Sequence, residues 1–165
     1  MYWRWHSTAQ TVRNMLPLTF PQTTRSMRDK RSGYLLLSRE LSMKPISQTE
    51  FAPPDGNCLQ ACLASIFELS LDVVPEFQYL YEFEHWHDYL VSWTLNRYGL
   101  QPIWISPENF TPQGYHLIGG KTEKGVEHVV VGYQGQIVHD PIPGGAQGFR
   151  PEVYVLFVST LELKL

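Results

Sequence analysis

The chain has 165 residues, 43% of them hydrophobic and 18% charged, with a net charge of −3. That is room for one domain with one core, in a composition that excludes a disordered chain. No apolar run approaches the roughly 18 residues of a membrane-spanning helix, and the chain's two cysteines, four positions apart, make no disulfide framework and suit a reducing, cytoplasmic setting.

The net charge conceals an asymmetry. Residues 1–42 carry seven Arg/Lys against two Asp/Glu, whereas residues 43–165 carry six against fourteen. An acidic body argues against a nucleic-acid partner. The first 42 residues show no sustained period of 2 or 3.6, and Pro17, Thr19 and Pro21 interrupt the apolar patch a secretory signal would need. This stretch reads as a disordered extension. Met43 opens the regular part of the chain, and Arg39-Glu40 just upstream can be encoded by a purine-rich stretch resembling a ribosome-binding site. The expectation is that translation starts at Met43 and that the domain spans residues 43–165.

Residues 44–57 read as extended chain and loop, with Pro53-Pro54-Asp55-Gly56 as a turn. Asp55 or Asn57 can cap a helix over about 57–68. Cys58, Cys62, Ser65 and Leu69 lie on one stripe of it, with Leu59, Leu63, Ile66 and Phe67 supplying core bulk. A second helix is expected over about 82–98, with Phe83, Trp86, Leu90, Trp93 and Leu95 on its apolar face and Gly99 as its stop. Strands follow at about 102–106, 115–119, 127–133, 136–140 and 154–158. Helices followed by a run of antiparallel strands make an α+β fold, a helix laid on a sheet.

Three residues stand out chemically. Cys58 sits where a Gly-containing loop becomes a helix. Unpaired N–H groups and the positive end of the helix dipole there favour a thiolate and can receive an oxyanion. Cys62, one turn further in, lacks that advantage. Glu127 to Tyr133 and Gln136 to Asp140 read as a hairpin turned at Gly135. A three-residue loop, Tyr133 to Gly135, would set His128 directly opposite Asp140, with paired residue numbers totalling about 268 and both side chains on one face. A two-residue loop would set His128 opposite Pro141 and turn Asp140 to the other face. In the first register Asp140 orients the imidazole and His128 takes the thiol proton of Cys58, while His139 falls on the opposite face as a surface or hydrogen-bonded residue.

The segments Gly56-Asn57-Cys58-Leu59-Gln60-Ala61-Cys62-Leu63-Ala64-Ser65, His128-Val129-Val130-Val131 and Val138-His139-Asp140-Pro141 resemble those of papain-like cysteine peptidases. The likeness covers roughly residues 43–145 and is closest to the C39-like group and to small phage and bacterial proteins similar to it. The resemblance implies a papain-like fold, with catalytic Cys58 opening a helix and His128 and Asp140 on adjoining strands. It also implies a glutamine completing the oxyanion hole, for which Gln48 is the candidate, folded back by the Pro-Pro-Asp-Gly turn. The expected activity is a cysteine-dependent peptidase or amidase acting on a peptide or amide substrate, without a cofactor. The Gly119-Gly120 pair reads as the end of a strand.

Two other readings compete. Cys58, Cys62, His85 and His87 could ligate structural zinc, although Cys-x3-Cys with His-x-His is an unfamiliar ligand spacing. A papain-like domain without activity could bind a partner through Trp86, Trp93 and Trp104.

Overall fold

The structure is a computed structural model, and it describes residues 43–51, 56–80, 86–108 and 110–160. The expectations for residues 1–42, for most of the Pro-Pro-Asp-Gly turn and for His85 lie outside the described residues.

Helix α1 runs from Cys58 to Ile66. Every residue from Leu59 to Ser65 is buried, so this helix is enclosed on all sides rather than lying at a surface. It ends where Glu68 adopts a left-handed φ of 53° and the Leu69 N–H reaches back to the Ala64 carbonyl at 2.9 Å, a closure that satisfies a last-turn carbonyl. A 3-10 turn at Leu71–Val73 and a short helix α2, Phe77–Leu80, follow, in a stretch where the sequence suggested only a helix end. Helix α3 spans Trp86–Tyr98. Gly99, at φ 66°, stops it as expected.

Five strands follow: β1 Leu100–Ile105, β2 Tyr115–Lys121, β3 Glu127–Tyr133, β4 Gln136–His139 and β5 Arg150–Ser159. All pairings are antiparallel and the spatial order is β1-β5-β2-β3-β4. The class is α+β. The register aligns Trp104, Val155, Leu117 and Val131 across the sheet on one face, and Ile105, Tyr154, Ile118 and Val130 on the other. The first face receives the helices: Leu59, Cys62, Leu63 and Ala64 of α1, Phe77, Trp86 and Leu90 join Leu117, Val129, Val131 and Val155 in the main core. Trp93 and Trp104 pack against the same cluster, so all three tryptophans of the binding-module reading are committed at least partly to the core. The second face holds a smaller cluster of Ile118, Val130 and Tyr154, with Phe149 against it.

The hairpin corrects the expected register. Tyr133 pairs with Gln136 across a two-residue turn, so the paired numbers total 269, not 268. Both turn residues have positive φ, Gln134 at 51° and Gly135 at 77°, the twist that two-residue hairpins prefer. This is the register that would send Asp140 to the wrong face. A bulge undoes it: the pairing shifts between Gly132 and Val131, and Val131 faces His139, for a total of 270. One extra residue in β4 restores the parity. Asp140 then falls one diagonal step from His128 on the same face, and His139 falls on the other.

Candidate active site

Cys58 is the first residue of α1 and is partly exposed. Of the two expected caps, Asp55 lies outside the described residues and Asn57 makes no side-chain cap bond. Its carboxamide does something else. Oδ1 accepts from the Thr49 and Glu50 N–H groups, both at 3.0 Å, and Nδ2 donates to Thr49 Oγ1 and Gln60 Oε1. Gln60 in turn donates to the Leu71 and Val74 carbonyls. This buried network fastens residues 48–50 to the start of α1 and leaves the first-turn amides beside Cys58 without a side-chain acceptor from Asn57. An uncapped helix start next to a thiol is a site of positive potential.

The same strap is held at its other points by Ser65, which receives the Ile46 N–H at 3.0 Å, by His139 Nε2 against the Ile46 carbonyl at 2.8 Å, and by the Gln48 N–H on the Pro141 carbonyl at 3.0 Å. These contacts carry Gln48 across the ten-residue gap in sequence. It lies between the Asn57 junction and the segment following Asp140. Gln48 is 6% exposed; its Nε2 donates to the Glu50 carbonyl at 2.8 Å, and its buried Oε1 has no partner among the described residues.

His128 is 4% exposed. Its Nε2 is 2.8 Å from Asp140 Oδ1, and Cys58 lies near enough to raise its pKa. With Nε2 committed to Asp140, Nδ1 is the nitrogen left for the thiol. Burial pushes the imidazolium toward deprotonation, but the hydrogen bond to Asp140 and the nearness of Cys58 outweigh it and hold the His128 pKa at about 9. Burial likewise works against ionised Asp140. The hydrogen bonds it accepts from His128, Ala146 N–H and Ile142 N–H overcome that and keep its pKa below the ordinary value. The two amide bonds are short, 2.7 Å to Ala146 and 2.8 Å to Ile142. Asp140 is therefore fixed by the loop it begins, and it fixes the imidazole.

Several functional features have no signature in the sequence. Phe149 stands edge-on to the His128 ring, centroids 5.8 Å apart at 89°, an arrangement aromatic rings prefer. Its ring fits because Gly120, directly opposite His128, has no side chain: a Cβ there would meet the Arg150 carbonyl oxygen at 2.0 Å and Phe149 at 3.1 Å. The second glycine of the pair is thus a point of close strand approach. Glu127, beside His128, has a pKa raised to about 7, chiefly by burial. Cys62 is fully buried, its thiol donating to the Val129 carbonyl at 3.3 Å, and burial pushes its pKa well up. It is a core residue. Among the described residues no three His, Cys, Asp or Glu side chains are grouped to hold a metal, and His87 lies against Trp104. Nor is any helix among them long and apolar enough to cross a membrane.

What the arrangement can do is move a proton. A thiol at an open helix start, an imidazole with Nδ1 left free of Asp140 and a carboxylate on its Nε2 are drawn together from α1, β3 and the residue after β4. Comparison with protein-family models, with curated proteins and with solved structures returned no match.

Proposed function

We propose that this chain is a cysteine-dependent hydrolase of the papain-like kind, akin to the C39-like group, acting on a peptide or amide. One observation carries the proposal: Cys58, His128 and Asp140, up to 82 positions apart in the sequence, come together in a mostly buried setting, with His128 hydrogen-bonded to Asp140 and its pKa raised by both neighbours. A nucleophile, a base and a group that orients the base are the three parts that acyl transfer requires.

The steps follow from the positions. His128 Nδ1 takes the thiol proton of Cys58, while Asp140 holds the opposite N–H and stabilises the imidazolium. The sulfur attacks the carbonyl carbon, an S–C bond forms, and the carbonyl π pair moves to oxygen. That oxyanion meets the first-turn N–H groups of α1 and the second N–H of Gln48 Nε2, with about 3 kcal/mol for each well-placed donor. Collapse breaks the C–N bond as His128 returns the proton to the leaving nitrogen. Water, deprotonated by the same imidazole, then cleaves the thioester and regenerates the thiol. None of these steps uses a cofactor, and both cysteines are free, as this chemistry needs.

The test is acylation by p-nitrophenyl acetate, followed by intact-protein and peptide mass spectrometry after acid quenching. The expected result is one acetyl group on the Cys58 peptide of the wild type. Loss of the base in His128→Ala should slow acetylation by about 10²-fold or more, and Cys58→Ser should not be labelled at that residue. Acetylation no faster than that of an unstructured cysteine peptide would refute the proposal.

A further inference from the structure

Asn57 directly precedes Cys58 in the chain, is buried, and clasps residue 50 twice. Its Oδ1 accepts the Glu50 N–H at 3.0 Å, and its own N–H donates to the Glu50 carbonyl at 3.2 Å. The Thr49 N–H reaches the same Oδ1 at 3.0 Å. At the other end of the carboxamide, Nδ2 donates to Thr49 Oγ1 and to Gln60 Oε1, both at 3.0 Å. Gln60 is buried too, anchored on the Leu71 and Val74 carbonyls. The Asn57 side chain thus uses two acceptor positions and both amide hydrogens, and a polar network satisfied in this way is rigid.

What the clasp holds in place is the Glu50 carbonyl. Besides the Asn57 N–H, that carbonyl accepts Gln48 Nε2 at 2.8 Å. A carbonyl can only accept, so it selects the orientation of the Gln48 amide: nitrogen toward Glu50, and Oε1 turned into a buried position without a partner among the described residues. An orphaned buried oxygen is a cost, and it is borne here by an amide whose nitrogen has been given a fixed place. One Nε2 hydrogen goes to Glu50, and the other is the oxyanion donor of the proposed reaction. The Gln48 main chain is held separately, its N–H on the Pro141 carbonyl at 3.0 Å.

We propose that Asn57 is a positioning residue for the oxyanion hole: through the Glu50 carbonyl it aims the Gln48 amide, and because it adjoins Cys58 it ties that aim to the nucleophile. This inference rests on the reading of Cys58 and His128 as an acyl-transfer pair and deepens it.

The experiment compares two reactions of Cys58 in the full chain at one pH. Acetylation by p-nitrophenyl acetate passes through an oxyanion: the S–C bond forms, the carbonyl π pair moves to oxygen, and collapse expels p-nitrophenolate. Alkylation by iodoacetamide does not, because the sulfur displaces iodide at a saturated carbon as the thiol proton is released. Both rates scale with the thiolate population, so the ratio of acetylation to alkylation reports the oxyanion donors. Gln48→Ala should lower that ratio about 10²-fold, and Asn57→Ala about tenfold. The double variant should fall no lower than Gln48→Ala alone, because Asn57 acts through Gln48. If Asn57→Ala does not fold, Asn57→Ser, which keeps a side-chain oxygen of shorter reach, takes its place in the same cycle. A wild-type ratio in either single variant, or losses that multiply in the double variant, would overturn the inference. The wild-type rates separate the two levels. If acetylation is fast and dependent on His128 while the Asn57 variant keeps the wild-type ratio, only the positioning role falls. If acetylation is slow in wild type and His128→Ala alike, the acyl-transfer reading falls and the inference with it.

Discussion

The link between His128 and Asp140 makes the stability of the fold depend on pH in a window that can be worked out. His128 rises from the ordinary 6.5 to about 9 in the folded protein. Below pH 6.5 both folded and unfolded chains carry the proton, and the stabilisation is fully present. Between 6.5 and 9 the unfolded chain has lost the proton and the folded one keeps it, so stability falls as pH rises. The whole shift corresponds to about 3 kcal/mol at 1.36 kcal/mol per unit, of which about 2 kcal/mol should disappear between pH 6.5 and 8. Glu127, raised to about 7, adds to the decline at the lower end of this window, and the other shifted groups act elsewhere. Asp140, held below its ordinary value, contributes above about pH 4 and loses that contribution as pH falls further. His116, lowered by burial, acts in the opposite sense, and only below 6.5. The buried Cys62 thiol adds to the decline only above about pH 8.5. Urea unfolding at constant ionic strength from pH 6.5 to 8 reads the effect directly, and Asp140→Asn should flatten the slope. Stability that is constant or rises over that interval in the wild type would refute the reasoning.

Other perturbations test the surroundings of the site. Glu127→Gln removes a half-buried carboxyl whose pKa of about 7 marks a cost of ionisation, so it should stabilise the protein at pH 8 by about 1 kcal/mol after allowance for solvent screening, with no gain at pH 4. Gly120→Ala places a methyl against the Arg150 backbone carbonyl and should cost about 1–3 kcal/mol in urea unfolding; a neutral result would mean that the β2–β5 pairing, whose register shifts between Gly119 and Gly120, opens freely there. Asn57→Ala strands the Thr49 and Glu50 amides and should cost on the order of 2–3 kcal/mol. It should also speed hydrogen exchange across residues 46–50, and unchanged exchange there would contradict the strap's dependence on Asn57.

The candidate residues were more legible in the sequence than the geometry that brings them together. Cys58 at a loop-to-helix junction, and the β-branched run after His128, are local signals, and the structure puts both in regular elements at those positions. Strand β3 begins and ends at Glu127 and Tyr133 as expected, because Gly135 bounds one end and the Val129 to Val131 run requires a buried strand. The register of the hairpin was not legible. Turn length and bulge each change which face Asp140 occupies, and the bulge in β4 depends on how the strand leaves the sheet edge, which no residue type at Val138 announces. Asn57 looked like a cap because that residue type caps helices; the tertiary contact with residues 49 and 50 claims its side chain instead. Phe149 lies in a loop without periodicity, so nothing in its neighbours tied it to His128. The position of Gln48 follows from bonds to Ser65, His139 and Pro141 that are all long-range in sequence.

The central claim is that His128 activates Cys58, and the rate of Cys58 alkylation by iodoacetamide as a function of pH tests it most directly. Cys62 is fully buried and should not compete. A reaction that stays fast well below about pH 8 in the wild type, and loses that speed in His128→Ala, is the predicted result. A slow reaction with the same pH profile in both proteins would contradict the account, because His128 would then take no proton from Cys58.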